Sequence, residues 1–165
     1  MRKLSNILFI GLAAFFIFQR APSIIENFKK QGAPAPEFVV GQLDGSVFVS
    51  KDRTEKTLLV FWATWCGPCD LELARIQGMI DRNEIKASSV LAVSSYEDSE
   101  LVRKVVFDRK YTFPVGLDLT GIMAAAFNVK GTPTVVLLDE NKNIDWITVG
   151  ASPSLEIRTK KFFKE

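Results

Sequence analysis

Leu58-Leu59-Val60-Phe61-Trp62-Ala63-Thr64-Trp65-Cys66-Gly67-Pro68-Cys69 decides how this chain is read, because an apolar run passes directly into two cysteines three positions apart. Leu58 to Trp62 has the length and continuity of a central strand. Beyond the cysteines, Leu71, Ala74, Ile76, Met79 and Ile80 recur at helical spacing, and Pro68 sits where a first helical turn tolerates proline. The cysteines therefore fall on a strand-to-helix junction. A thiol attacks a disulfide only as thiolate, and the free N–H groups and positive dipole end of a helix start stabilise that anion. This makes Cys66 the expected nucleophile. Cys69, one helical turn on, is placed to resolve the mixed disulfide, and Gly67 and Pro68 form an uncharged tight turn between them.

Composition removes several rival chemistries. Two cysteines this close together do not make a disulfide scaffold. The chain has no histidine, so neither a Ser-His nor a Cys-His pair nor a histidine metal site can be built. Asp70 follows the second cysteine, where haem attachment would need histidine. A zinc site needs about four ligands, and nothing supplies the other two; no metal and no cofactor beyond the cysteine pair is expected. Two thiolates can nevertheless hold a soft ion, so a copper-binding or partner-binding module stands as an alternative to catalysis.

The 165 residues, 47% of them hydrophobic, suit one domain with a proper core. Formal charge is +2, but Arg2, Lys3 and Arg20 all lie in the first twenty residues, which hold no acid. The remainder is within one charge of neutral, which argues against nucleic-acid binding. Within the first twenty residues, Leu4 to Phe18 is uncharged, and Gln19 and Arg20 close it. It is too apolar for a domain helix and lacks a small-x-small cleavage site, so residues 1–20 are expected to be an uncleaved anchor that enters the membrane through residues 4–19. Residues 21–36, with Pro22, Gly32, Pro34 and Pro36, suit a tether, and residues 37–165 are the expected domain.

Along that domain the patterns alternate. Phe38–Leu43 and Val47–Val49 flank Asp44-Gly45 as a hairpin. Val90–Val93 reads as a strand, Glu97–Arg109 as a helix with Leu101, Val102, Val105 and Val106 on one face, and Val115–Leu117 as a strand. Ile122–Phe127 is a short helix, Val135–Leu138 and Ile144–Val149 a second hairpin, and Ser154–Phe163 a closing helix. Strand and helix alternation implies parallel crossover units.

Phe61 to Cys69 resembles the active-site segment of the thioredoxin superfamily, and Gly131-Thr132-Pro133-Thr134, ahead of an apolar strand, resembles that family's cis-proline loop. The resemblance implies that Pro133 packs beside the cysteines, that Thr132 offers backbone groups to an extended substrate, and that Trp65 shields the sulfur and contacts substrate. Trp62 is assigned to packing. The anchor, Ala35-Pro36-Glu37-Phe38 at the domain start, and the helix and strand at about 97–118 are similar to the membrane-anchored TlpA/ResA-like branch. The fold so implied is α/β: a thioredoxin-like central mixed sheet flanked by helices, with an N-terminal hairpin and an inserted helix–strand unit, preceded by one transmembrane helix.

Two positions depart from the pattern. Val60 stands where soluble thioredoxins carry a buried aspartate, and Ala74 replaces the proline of the anchored branch's Cys-x-x-Glu-x-Pro. Glu72 is retained and is the candidate proton handler for Cys69, on the same helix face. The alternative is a solvated acid favoured near a helix start; Asp70 is expected to be exposed. The resemblance further implies a single-pass protein of the bacterial inner membrane with its domain on the periplasmic side. Its partners would be client proteins with disulfides or thiols and a transmembrane thiol-electron carrier, with apocytochromes among the clients. Gly-Pro between the cysteines resembles reducing thioredoxins, at about −270 mV, more than strong oxidants near −120 mV. A disulfide oxidase or isomerase is the rival on the same fold, and a peroxidase is disfavoured because no distant resolving cysteine exists.

Overall fold

Strand β3 (Thr57–Trp62) is buried at all six positions, as an apolar run must be when both faces of its sheet are covered. Around it the computed structural model, which describes residues 31–165, builds one seven-stranded sheet in the order β2-β1-β5-β4-β3-β6-β7. The expected anchor, residues 1–20, and residues 21–30 of the tether lie outside the described residues. Among the described residues no helix is long and apolar enough to cross a membrane.

β1 (Val39–Gln42) and β2 (Val47–Val49) form the antiparallel hairpin, closed by Gly45 at a φ of +87°. β4 (Val90–Ser95) runs parallel to β3, and β5 (Val115–Asp118) parallel to β4. β6 (Thr134–Leu138) returns antiparallel to β3, and β7 (Ile144–Val149) pairs antiparallel with β6. The sheet is therefore mixed. The inserted helix–strand unit places β5 between β4 and the N-terminal hairpin, so the hairpin is joined to the sheet through the insertion.

Side-chain alternation along the strands makes two cores. Helices α1 (Gly67–Asp81), α2 (Ser99–Asp108) and α4 (Leu155–Lys164) cover one face, packing Leu73, Ile76, Val102, Leu155 and Phe162 on Leu58, Val60 and Trp62. The short α3 (Ile122–Ala126) covers the other, where Met123 and Phe127 meet Phe38, Leu59 and Phe61. Cys66 and Cys69 belong to the first core.

Three details differ from expectation. In α1 the buried face is Cys69, Glu72, Leu73, Ile76, Gln77 and Met79, whereas Leu71 and Ala74 face solvent. Residues two apart on a helix are about 200° apart, so burying Leu73 turns Leu71 outward. Helix α2 starts at Ser99 rather than Glu97, because the Asp98 side chain caps it by accepting from the N–H groups of Glu100 and Leu101; Leu101 is exposed. The last part of the tether is also not free. Gly32 and Ala35 donate to the carbonyls of Ile144 and Lys142, and Ile144 donates to that of Ala33, fastening residues 32–35 to the β6–β7 hairpin.

Candidate active site

The chain leaves β3 at Trp62 and reaches α1 through Ala63-Thr64-Trp65-Cys66, with Cys66 as the N-cap residue. Its Sγ accepts from the Cys69 N–H at 3.2 Å and its carbonyl from the Asp70 N–H at 3.2 Å. The Cys69 N–H is shared between this sulfur and the Cys66 carbonyl, which accepts it at 2.9 Å, so the sulfur lies against a donor of the helix's first turn. The pair is present as a disulfide with Cα atoms 5.2 Å apart. Cys69 has no exposed surface and Cys66 very little, while Trp65, Gly67 and Pro68 are exposed. Attack from outside is therefore directed to Cys66. Asp70, which would oppose an anion in this first turn, is engaged by Arg109 at 2.7 Å.

Thr64 is clamped from the neighbouring strand end. The Glu97 carboxylate accepts from the Thr64 N–H at 3.0 Å, from Thr64 Oγ1 at 2.5 Å and from Ser94 Oγ at 2.5 Å. This ties the cysteine loop to the end of β4. Sequence reading assigned Glu97 to a helix and missed the role. The available signal was the pair Glu97-Asp98, in which the second acid suffices as the cap.

Glu72 is fully buried, so the solvated reading fails. Oε1 accepts from the Ser152 N–H, Arg75 Nη1 lies 3.8 Å from Oε2, and Arg75 also donates to the Ser152 carbonyl at 3.3 Å. Oε2 makes no hydrogen bond among the described residues. Burial pushes the Glu72 carboxyl above its ordinary range, opposed by the Ser152 N–H and by Arg75. Val60, at the position of the missing aspartate, packs in the same core as Cys69. Glu72 is thus a buried carboxyl on α1 one helical turn beyond Cys69. Ser152 and Arg75 carried no sequence signal, since the β7–α4 loop meets α1 only in three dimensions.

The Thr132–Pro133 peptide bond is cis. Phe61 pairs with Thr134, so Pro133 stands across from Trp62 at the sheet end that carries the cysteines. The Pro133 carbonyl is taken by the Gly150 N–H at 2.7 Å, and Thr134 Oγ1 donates to the Gly131 carbonyl at 2.6 Å. The backbone of Thr132 makes no hydrogen bond among the described residues. Trp62 is buried, in keeping with a packing role. No group of three or more metal-ligating acids and cysteines comes together among the described residues.

Comparison with known proteins agrees with this geometry. The profile of the Redoxin family matches residues 30–161. The chain is similar to sporulation thiol-disulfide oxidoreductase A of Bacillus subtilis, 28% identical over 155 residues, covering 92% of this chain and 91% of the relative. It is 30% identical over 135 residues to the thiol-disulfide oxidoreductase ResA of Bacillus cereus, covering 81% and 78%. Among solved structures, StoA of Bacillus subtilis superposes with a TM-score of 0.63 at 27% identity, over 79% of this chain and 98% of that one. The mixed sheet with its helices is thus a thioredoxin-like fold.

Proposed function

The chain belongs to the Redoxin family and is a thiol-disulfide oxidoreductase, and on that premise we propose that it reduces disulfides of client proteins outside the cytoplasm while tethered to the membrane. The observation that carries the reductive direction is the dipeptide between the cysteines, since uncharged Gly67-Pro68 resembles that of reducing thioredoxins.

In the reduced protein the Cys66 thiolate attacks one sulfur of the client disulfide, forms a mixed disulfide and releases the other client sulfur as thiolate. Cys69 passes its proton to the Glu72 carboxylate and attacks Cys66 Sγ. The Cys66–Cys69 disulfide forms and the second client thiolate leaves. The client gains two electrons and the protein loses them. A thiol carrier in the membrane then restores the dithiol by the reverse exchange. Thr132 holds the client backbone beside Cys66, and Trp65 lies against it. The apolar N-terminal run supports residues 4–19 as the anchor, and the resemblance to the anchored ResA-like branch supports the bacterial inner membrane as its site, with the domain on the periplasmic face. Apocytochromes awaiting haem are the client class that the resemblance to the ResA-like branch suggests.

Equilibration of the purified protein against glutathione buffers tests the direction. A potential of about −270 mV is expected, and one of about −120 mV would make the protein an oxidase. Tight copper binding with negligible disulfide reduction would instead favour a metal-carrying module.

A further inference from the structure

The first turn of α1 serves an anion at Cys66 and yet contains an acid, Asp70, whose N–H donates to the Cys66 carbonyl at 3.2 Å. A carboxylate four positions on from the nucleophile lies on the same side of the helix. There it weakens the positive field that the helix start offers to a thiolate. Left alone, Asp70 would make Cys66 harder to ionise. It is engaged from another element: Arg109 Nη2, at the end of α2 and thirty-nine residues along the chain, lies 2.7 Å from Asp70 Oδ2.

The corner between α2 and β5 is fixed so that Arg109 arrives there. Buried Gln77, further along α1, accepts the Thr112 N–H on Oε1 at 2.9 Å and donates from Nε2 to Thr112 Oγ1 at 2.9 Å. The Arg109 N–H closes α2 on the Val105 carbonyl, and Lys110, at a φ of +57°, turns the chain toward Thr112. The inserted unit thus grips α1 at two points, one of them in the turn that carries the cysteines. Tyr111, on the same corner, records both charges. Burial pushes its phenol above the ordinary range, Asp70 adds to the rise, and Arg109 opposes it. A neighbouring acid group therefore feels Asp70 as hindrance and Arg109 as relief.

We propose that Arg109 is a positioning residue for the redox pair: presented by the Gln77–Thr112 anchor, it neutralises Asp70 and so keeps the start of α1 favourable to the Cys66 thiolate. The inference rests on the oxidoreductase reading and gives the inserted unit a part in controlling its nucleophile. An ion pair whose side chains are 51% and 27% exposed contributes little to stability, so its effect belongs to the chemistry. The other charges around the cysteines are Glu72 with Arg75 on α1, Glu97 after β4, engaged by Thr64 and Ser94, and Lys130 ahead of the cis-proline loop. The 150–154 loop carries none. Stabilising the thiolate stabilises the dithiol form, so loss of Arg109 makes Cys66 harder to ionise and shifts exchange toward the disulfide.

The test follows iodoacetamide alkylation of Cys66 against pH in the full chain in detergent, with Cys69→Ser so that a single thiol reacts. Arg109→Met should move the pH of half-maximal rate up by about 0.5 units, which lowers the rate about threefold on the acid side. Arg109→Lys should stay near its parent, and Asp70→Asn should move the half-point down. The Arg109→Met shift should shrink in about 1 M salt. With both cysteines present, and at a pH above both half-points, Arg109→Met equilibrated with glutathione should favour the disulfide about threefold more than wild type. An unmoved half-point in Arg109→Met, an equal shift in Arg109→Lys, a rise in Asp70→Asn or an unchanged glutathione equilibrium overturns this role. Wild type would still reduce hydroxyethyl disulfide in each of those cases. Its failure to do so would overturn the oxidoreductase reading, and the role of Arg109 with it.

Discussion

The backbone N–H of Ser152 donates to Oε1 of Glu72, so a carboxyl with no exposed surface is held one helical turn beyond Cys69 by a loop eighty residues further along the chain. A partly satisfied carboxyl in an apolar core has a stability cost that depends on its proton. Burial raises its affinity for the proton in the folded state above that of the unfolded chain, whose value lies near 4.5. Between the two values the folded state binds more protons, so stability falls as pH rises. The favourable contribution is complete below the unfolded value and is lost as pH passes through the raised folded value. Chemical denaturation of wild type and Glu72→Gln across this range should therefore show wild type losing stability relative to the variant with rising pH. Parallel profiles would mean that Glu72 keeps its ordinary affinity.

In the proposed mechanism the same carboxyl takes the proton of Cys69. Glu72→Gln cannot accept it from Cys69, so resolution of a preformed mixed disulfide should slow and lose its dependence on the carboxyl's titration. Rapid-quench measurement of client release against pH checks this, and an unchanged profile would reduce Glu72 to a packing role.

Burial of Cys69 behind Cys66 assigns the two sulfurs different work. Cys69→Ser should accumulate mixed disulfides through Cys66, visible by mass spectrometry, and Cys66→Ser should abolish turnover without trapping clients. Stable adducts in Cys66→Ser would reverse the assignment.

Glu97 joins Thr64 to Ser94 across two strand ends. Glu97→Ala leaves a backbone N–H and two hydroxyls without this partner and should cost about 1–3 kcal/mol. Because the effect is centred on the cysteine loop, hydrogen exchange at the Thr64 amide should accelerate beyond the global loss of stability. Glu97→Gln, which retains an acceptor, should restore part of the protection.

The two leucines of α1 make a sharp contrast. Leu73→Ala removes a fully buried side chain and should cost about 2–5 kcal/mol. Leu71→Ala, on the solvent face, should stay within about 0.5 kcal/mol. Equal losses in equilibrium unfolding would contradict the helix orientation.

That contrast marks how far the sequence could be read. The elements were legible because their signals are local: the continuous apolar run of Leu58 to Trp62, the turn at Asp44-Gly45, and Pro68 at a helix start. The two cysteines carried their chemistry in their spacing, and Glu72 was visible as a candidate. Helical periodicity alone could not orient α1, because Leu71 and Leu73 are both apolar and only the sheet beneath decides which is buried.

The sequence by itself determined the redox chemistry and the order of elements, since covalent spacing and local propensity are properties of neighbouring residues. Only the tertiary structure decided that Glu72 is buried against Ser152 and that Glu97 grips Thr64. Burial, and the electrostatics that follow from it, arise where distant segments exclude water together, and no local window contains both partners.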